Sequence, residues 1–296
     1  MLLNSNLKEL SFLVYGLGST GQSVIKFFKK KKIEKYEIWD DKQKKLLRNK
    51  RAKNLKETLS NVDYIVLSPG ISHIKKKNLI KYKKKIITDI DLLYLTNKDF
   101  KSIVVTGTNG KSTTCKIITH LLKKNKFKVS LGGNIGTPIL NLKIKKNSFV
   151  VIEASSFQLS HSKFICPDYA FLLNITNDHL DWHGNMINYK NSKLKIFMSQ
   201  NKNQFALLNY KLKKIFKKKF FLSKLIIPNE KNYKNIKYKI KNRYLRLGIN
   251  DENMNFAYTF SKLIKISEKS FIAGINSFIG LPHRYEIFLK KNNIIF

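Results

Sequence analysis

Acidic side chains are scarce in this chain: 19 Asp and Glu stand against 58 Lys and Arg, a formal net charge of +39. Arginine is scarcer still, confined to Arg48, Arg51, Arg243, Arg246 and Arg284, so the excess is almost all lysine and is spread along the sequence. Specific nucleic-acid recognition favours the guanidinium fork and gathers its cations on one face or arm. The charge therefore does not imply a specific nucleic-acid partner; Asn and Ile are abundant too, and A/T-rich codons account for all three. The two cysteines, Cys115 and Cys166, have neither metal-ligand spacing nor a disulfide framework. No run of 18 apolar residues occurs, and Met1 opens a polar-interrupted stretch rather than a cleavable signal. Membrane insertion is thus not expected, and the cytoplasm is the expected compartment. With 296 residues, the chain has length enough for two cores.

What the sequence does contain centres on Ile103-Val104-Val105-Thr106-Gly107-Thr108-Asn109-Gly110-Lys111-Ser112-Thr113-Thr114. β-Branched residues read as a buried strand, and after the glycines Ile117, Ile118, Leu121 and Leu122 mark one face of a helix. A strand, a glycine turn, Lys-Ser/Thr and a helix make a phosphate-binding loop: backbone N–H groups close on phosphate oxygens at the positive end of the helix. Lys111 is placed for the β/γ-phosphates, and a hydroxyl of Ser112 or Thr113 for Mg²⁺. The generic motif has Gly where this chain has Val105.

The same theme appears earlier. A strand, Phe12 to Tyr15, runs into Gly16-Leu17-Gly18-Ser19-Thr20-Gly21 and a helix carrying Val24, Ile25, Phe27 and Phe28. A second strand, Tyr36 to Trp39, ends in Asp40-Asp41, which is the Rossmann spacing with an acid placed for a ribose or base contact. A glycine turn used only for packing is the alternative. Val62 to Leu67 leads to Ser68-Pro69-Gly70 at a strand's carboxyl end, where open α/β sheets bind ligands. Ile86 to Thr88 is a short strand, Asp89 to Leu95 a helix, and 96–99 a linker.

Beyond the phosphate loop, strands are expected at Lys126–Leu131, Phe149–Ile152 and Tyr169–Leu173. Glu153 at a strand tip beside the loop is where a Mg²⁺ ligand belongs. Asp178-His179-Leu180-Asp181-Trp182-His183 packs two acids and two histidines after a strand, with loop capping as the alternative reading. The lysine-rich stretch 211–241 says least; Phe220–Leu222 and Tyr244–Leu247 read as strands, and helices pass through Phe256–Leu263 and Phe271–Phe278. The last residues read as a hairpin, Glu286–Leu289 with Ile294–Phe296, cut in mid-strand.

Taken together, these stretches resemble the Mur ligases, ATP-dependent amide-forming enzymes of peptidoglycan precursor synthesis. Thr106 to Thr113 resembles that family's phosphate loop. Glu153-Ala154-Ser155-Ser156-Phe157-Gln158-Leu159, Asp178 to Asp181 and Leu281-Pro282-His283-Arg284-Tyr285-Glu286 resemble its D-glutamate-adding branch. The resemblance implies an α/β fold with an N-terminal Rossmann-like domain (1–98) and a P-loop-type ATPase domain with a mostly parallel central sheet (99–296). It implies ATP and Mg²⁺ as cofactors, UDP-N-acetylmuramoyl-L-alanine and D-glutamate as substrates, an acyl phosphate between them, and a monomer. Gly16, Gly18, Thr20, Gly21, Asp40, Ser68, Pro69 and Gly70 would face the nucleotide-sugar. Gly107, Thr108, Asn109, Gly110, Lys111, Ser112 and Thr113 would hold ATP phosphates, and Asn250, Asn253 and Arg284 its nucleotide. Ser112 and Glu153 would serve a first Mg²⁺, His179 and a carbamylated Lys193 a second, and Asn134 would lie near the reacting groups. Two departures stand out. Ile249 replaces a histidine usual before Asn250, and the family's third, amino-acid-binding domain has no counterpart in these residues, so a fragment or truncated product is expected. Another amide ligase of the superfamily, such as a folylpolyglutamate synthetase, and a degenerate ATP- or polyanion-binding protein remain as competing readings.

Overall fold

The computed structural model describes residues 7–42, 50–72, 76–96 and 99–280, and the backbone of 290–291 and 294–295. The first unit runs β1 (Phe12–Tyr15), α1 (Ser19–Lys31), β2 (Tyr36–Trp39), α2 (Leu55–Asn61), β3 (Tyr64–Leu67), α3 (Lys77–Ile80), β4 (Ile86–Ile87) and α4 (Asp89–Leu95). Its four strands are parallel in the order β2-β1-β3-β4. Phe12 and Val14 face one core with Val24, Phe27 and Phe28 of α1; Leu13 and Tyr15 face another with Leu59 of α2. That split is the period-two alternation of a sheet covered on both faces.

The second unit begins with β5 (Phe100–Thr106), α5 (Lys111–Lys124), β6 (Val129–Gly133), β7 (Ser148–Glu153), α6 (Ser156–His161) and β8 (Tyr169–Leu172). It continues with α7 (Leu180–His183), α8 (Met186–Leu194), β9 (Phe205–Leu208), α9 (Lys213–Lys218) and β10 (Lys224–Ile226). Helices α10 (Glu230–Lys237), α11 (Arg243–Arg246), α12 (Asp251–Leu263) and α13 (Glu268–Asn276) follow. Six parallel strands lie in the order β10-β9-β8-β5-β7-β6, so β5 is central and all carboxyl ends share one edge. Ile103 and Val105 pack with Ile117, Leu121, Phe256 and Phe260 on one face. Val104 packs on the other with Leu159, Leu194 and Phe197.

Helix α4 belongs to both units. Its Leu92 enters the first core, while Ile90, Leu93 and Tyr94 enter the second. Its Asp91 carboxylate accepts hydrogen bonds from Ser162 Oγ at 2.7 Å, Lys163 N at 2.8 Å and Phe164 N at 2.7 Å. Asp91 is fully buried, and burial raises its pKa.

Several expectations change. Tyr244 to Leu247 is not a strand: Arg243–Arg246 is a helical turn, capped by Asn242 accepting from Leu245 N at 3.0 Å. Phe220–Leu222 is a loop, and the strand lies at Lys224–Ile226. The strand after α5 starts at Val129 because Lys126, with φ of 62°, still belongs to the turn leaving the helix. In the expected hairpin, Lys290–Lys291 pairs antiparallel with Ile294–Ile295, while the Leu281 to Glu286 motif with Arg284 lies outside the described residues.

Candidate functional site

The phosphate loop leaves the central strand at its carboxyl end and enters α5 at Lys111. Gly110 has φ of 82°, and a Cβ there would meet Asn253 Oδ1 at 2.2 Å, so only glycine fits. Asn253 Oδ1 also accepts from Thr114 Oγ1 at 3.2 Å, and Asn250 donates to Tyr244 O at 2.8 Å. Both asparagines are therefore buried struts behind the loop. Lys111 Nζ donates back to Gly107 O at 3.1 Å and Thr108 O at 2.8 Å. Ser112 and Thr113 stand in the first turn of α5.

Beside β5, Val105 pairs in register with Glu153 of β7. Glu153 is 2% exposed; its Oε1 accepts from Asn134 Nδ2 at 3.0 Å. Its Oε2 is buried with no hydrogen-bond partner among the described residues. On the other side of the loop, Lys193 of α8 is 1% exposed and donates to Gly107 O at 2.7 Å. Burial, and then the charge of Lys111, push its pKa down to about 7. Tyr189, one turn earlier, lies with its hydroxyl 2.9 Å from Thr108 Oγ1 and its ring 4.7 Å from Lys193 Nζ.

The Asp-His segment packs onto the first turn of α6. His179, in the left-handed region at φ of 52°, lies with its ring 4.7 Å from that of Phe157 and Nε2 3.3 Å from Asp178 Oδ2. His183 is buried, with Nε2 2.9 Å from Ser156 Oγ; burial and the Lys193 charge push its pKa down to about 4. So His179 is at the rim and His183 is part of the packing. Among the described residues, no three His, Cys, Asp or Glu side chains group closely enough to hold a metal by themselves.

The first unit supplies the opposite wall. Gly16, Gly18, Thr20, Asp40, Ser68, Pro69 and Gly70 line a cleft of about 430 Å³ together with Gly133, Asn134 and Gln158. A Cβ on Gly21 would collide with Gly16 O at 1.9 Å, so that glycine serves close packing; at Gly18 a Cβ would meet nothing within 4 Å, so that side of the loop is open to a ligand. Asp40 accepts from Leu17 N at 2.7 Å and Lys42 N at 2.9 Å, bracing the glycine loop.

Sequence reasoning missed the supports. Asn174, just past β8, accepts from Thr108 N at 3.1 Å and Asn109 N at 2.8 Å. Glu252 in turn accepts from Asn174 Nδ2 and Asn209 Nδ2, both at 2.6 Å. Asp89 of α4 accepts from Gln158 Nε2 at 3.3 Å and, being fully buried, has its pKa pushed up to about 6. Asn174 at a strand's carboxyl end was the one signal available; Glu252 and Asp89 look like ordinary helix-start acids.

The sequence matches the Mur ligase middle domain over residues 105–276 and the MurD-like Mur ligase N-terminal domain over residues 10–89. It is 36% identical over 323 residues to the UDP-N-acetylmuramoylalanine–D-glutamate ligase of Rickettsia felis, covering 99% of this chain and 71% of that one. The enzyme of the same name from Rickettsia prowazekii is 35% identical over 320 residues, covering 98% and 71%. Among solved structures, the UDP-N-acetylmuramate:L-alanyl-gamma-D-glutamyl-meso-diaminopimelate ligase of Neisseria meningitides superposes with a TM-score of 0.56 at 13% identity, over 92% of this chain and 99% of that one. That likeness is one of fold.

Proposed function

The chain belongs to the Mur ligase family, and from that premise we propose that it is an ATP-dependent ligase joining D-glutamate to UDP-N-acetylmuramoyl-L-alanine in peptidoglycan precursor synthesis. The observation that carries this reading is the cleft shared by the first unit's glycine loop and by Asn134 and Gln158 of the second. One substrate held at Gly16 to Gly21, Asp40 and Ser68-Pro69-Gly70 would extend its far end toward Asn134, which follows Gly133 of β6. Gly133 pairs in register with Glu153 of β7, and β7 lies beside the strand that carries the phosphate loop. The chemistry needs that arrangement. A carboxylate is a poor electrophile, so phosphoryl transfer from ATP activates it, and the amine of D-glutamate then displaces phosphate. Positioning and charge stabilisation do most of the catalysis.

In this reading Gly107 to Thr113 bind the phosphates, with Lys111 exchanging its two loop carbonyls for phosphate oxygens. Arg284 would serve the nucleotide side directly, and Asn250 and Asn253 would serve it by bracing the loop from behind. Mg²⁺ fits the first position: Glu153 Oε2 is a buried acceptor with no hydrogen-bond partner among the described residues, and Ser112 stands in the first turn of the adjacent helix. Mg²⁺ retains waters and takes phosphate oxygens, so one or two protein ligands suffice. At the second position His179 is available, but Lys193 as an amine offers no oxygen; it fits only as a carbamate. Bound there, the metal would screen the repulsion between triphosphate and substrate carboxylate. Among the described residues no helix is long and apolar enough to cross a membrane; action in the cytoplasm and as a monomer belongs to the same proposal. The chain spans 71% of the length of each of the two Rickettsia relatives described above.

The test is Lys111→Ala with calorimetry on each nucleotide. ATP affinity should fall at least about tenfold, the loss of one charge-assisted contact, with affinity for the UDP-sugar substrate unchanged. Loss of both in a folded variant would count against separate sites on the two sheets.

A further inference from the structure

From Asp181 to Glu230 the chain contains no acidic residue between those two, yet it carries eleven lysines. Within this stretch Lys217 and Lys218 end α9, Lys219 follows as its C-cap, and Lys224 opens β10. All four, with Lys202, are exposed, and among the described residues none of them forms an ion pair. The same edge exposes large apolar side chains: Phe220 is 88% exposed, Leu222 72% and Met198 67%.

These apolar residues flank a single anchored aromatic cluster. Phe221 folds inward, its ring 4.9 Å from Phe216 and 5.5 Å from Phe197, and Phe216 lies 5.2 Å from Phe197. Phe220 and Leu222, the chain neighbours of Phe221, and Met198, the neighbour of Phe197, are therefore carried outward on a fixed base. Phe220 takes a left-handed φ of 52°, which bulky side chains rarely adopt. The position in the sheet is equally defined. Lys224 pairs with Phe205 at the amino ends of β10 and β9, whereas the phosphate loop leaves the carboxyl end of β5. The patch thus lies on the sheet edge opposite the cleft.

We propose that this edge is a docking surface for an anionic lipid bilayer, with Phe220, Leu222 and Met198 entering the headgroup boundary and the lysines meeting lipid phosphates. Polybasic segments beside exposed apolar side chains bind such surfaces through both terms, without spanning them. Two of the three apolar side chains are aliphatic, and the patch has no arginine; aliphatic groups gain from an acyl boundary and gain little from base stacking, which favours lipid over nucleic acid. The chain-wide charge alone does not select this edge, because the lysines that end α1 have no comparable exposed apolar neighbours.

The test is co-sedimentation of the whole chain with vesicles of phosphatidylcholine, alone or mixed with phosphatidylglycerol, at about 0.1 M salt. The protein should pellet with the mixed vesicles and not with phosphatidylcholine. Phe220→Ser with Leu222→Ser, which leaves net charge unchanged, should weaken binding about fivefold or more, and so should Lys217→Glu, Lys218→Glu and Lys219→Glu together. Lys29→Glu, Lys30→Glu and Lys31→Glu, an equal change of charge on α1, should stay within about twofold of the parent. The proposal is overturned if the α1 variant loses as much as the α9 variant, or if the Ser pair binds like the parent. It is also overturned if the Ser pair loses affinity for a short single-stranded oligonucleotide while keeping it for vesicles. Circular dichroism identifies any variant that has unfolded, and single Phe220→Ser and Leu222→Ser changes then replace it.

Discussion

Lys193 is an unusual lysine: buried, pointed at a backbone carbonyl, and close enough to Lys111 for its charge to be disfavoured. A base with a lowered pKa sheds its proton as pH rises through that value, here about 7, and the neutral amine is the form that attacks CO₂. Addition of the neutral amine to CO₂ forms the N–C bond as one C=O π bond opens to the carboxylate, and a second proton leaves the nitrogen, so that with the two protons lost a cation has become an anion. With ¹³C-labelled bicarbonate, a carbamate resonance should therefore grow between about pH 6 and pH 8 and be absent in Lys193→Arg. Lys195 is the internal control. It is half-buried, with its pKa pushed down to about 8 by that burial, but it donates to Ser160 O and Ser162 O, away from the phosphate loop. Lys195→Arg should keep the resonance; losing it there would move the modification to the wrong lysine. Composition and spacing do not separate these two residues, since each is one lysine among many; only the family resemblance singles out Lys193, and the physical difference is made by the partners that folding brings to it.

At the scale of elements, the phosphate loop is held from behind by α12. The chain of contacts runs from Glu252 through Asn174 to the amides of Thr108 and Asn109. Glu252→Ala should lower ATP affinity about tenfold by releasing the loop, with binding of the UDP-sugar substrate unaffected. Glu252→Gln should fall between, because a carboxamide oxygen still accepts from one asparagine while its amide meets the other donor to donor. Equal ATP affinity in all three proteins, measured by calorimetry, would reduce Glu252 to a bystander. This support was illegible in the sequence because its partners are 78 and 43 residues away. The glycine turns, by contrast, were legible, since strand, turn and helix start are all local. The misread Tyr244 to Leu247 segment carried its own correction: Asn242 is a helix-capping residue, and a short apolar run after such a cap fits a helical turn as well as a strand. At Phe220 to Leu222, three consecutive apolar residues suggested a strand, but only the middle one has a core to enter.

For the whole molecule, the decisive contact is the Asp91 carboxylate, which takes three hydrogen bonds from the 162–164 loop across the junction of the two sheets. Asp91→Ala would leave a hydroxyl and two backbone N–H groups buried without an acceptor, a cost of about 3–5 kcal/mol. Calorimetry should show the parent melting in one transition and the variant melting earlier, in two; a variant that keeps a single transition at the parent's temperature would mean that apolar packing of α4 suffices. That packing also has a consequence in time. Ile90, Leu93 and Tyr94 leave the ribosome long before Phe197 and Phe216, which complete the core they enter. At ~5–20 residues per second the helix waits on the order of 10 s with its apolar face uncovered. During that interval the nascent chain is a natural client for chaperones that hold exposed hydrophobic surface, and the first sheet's final helix is the segment they would hold.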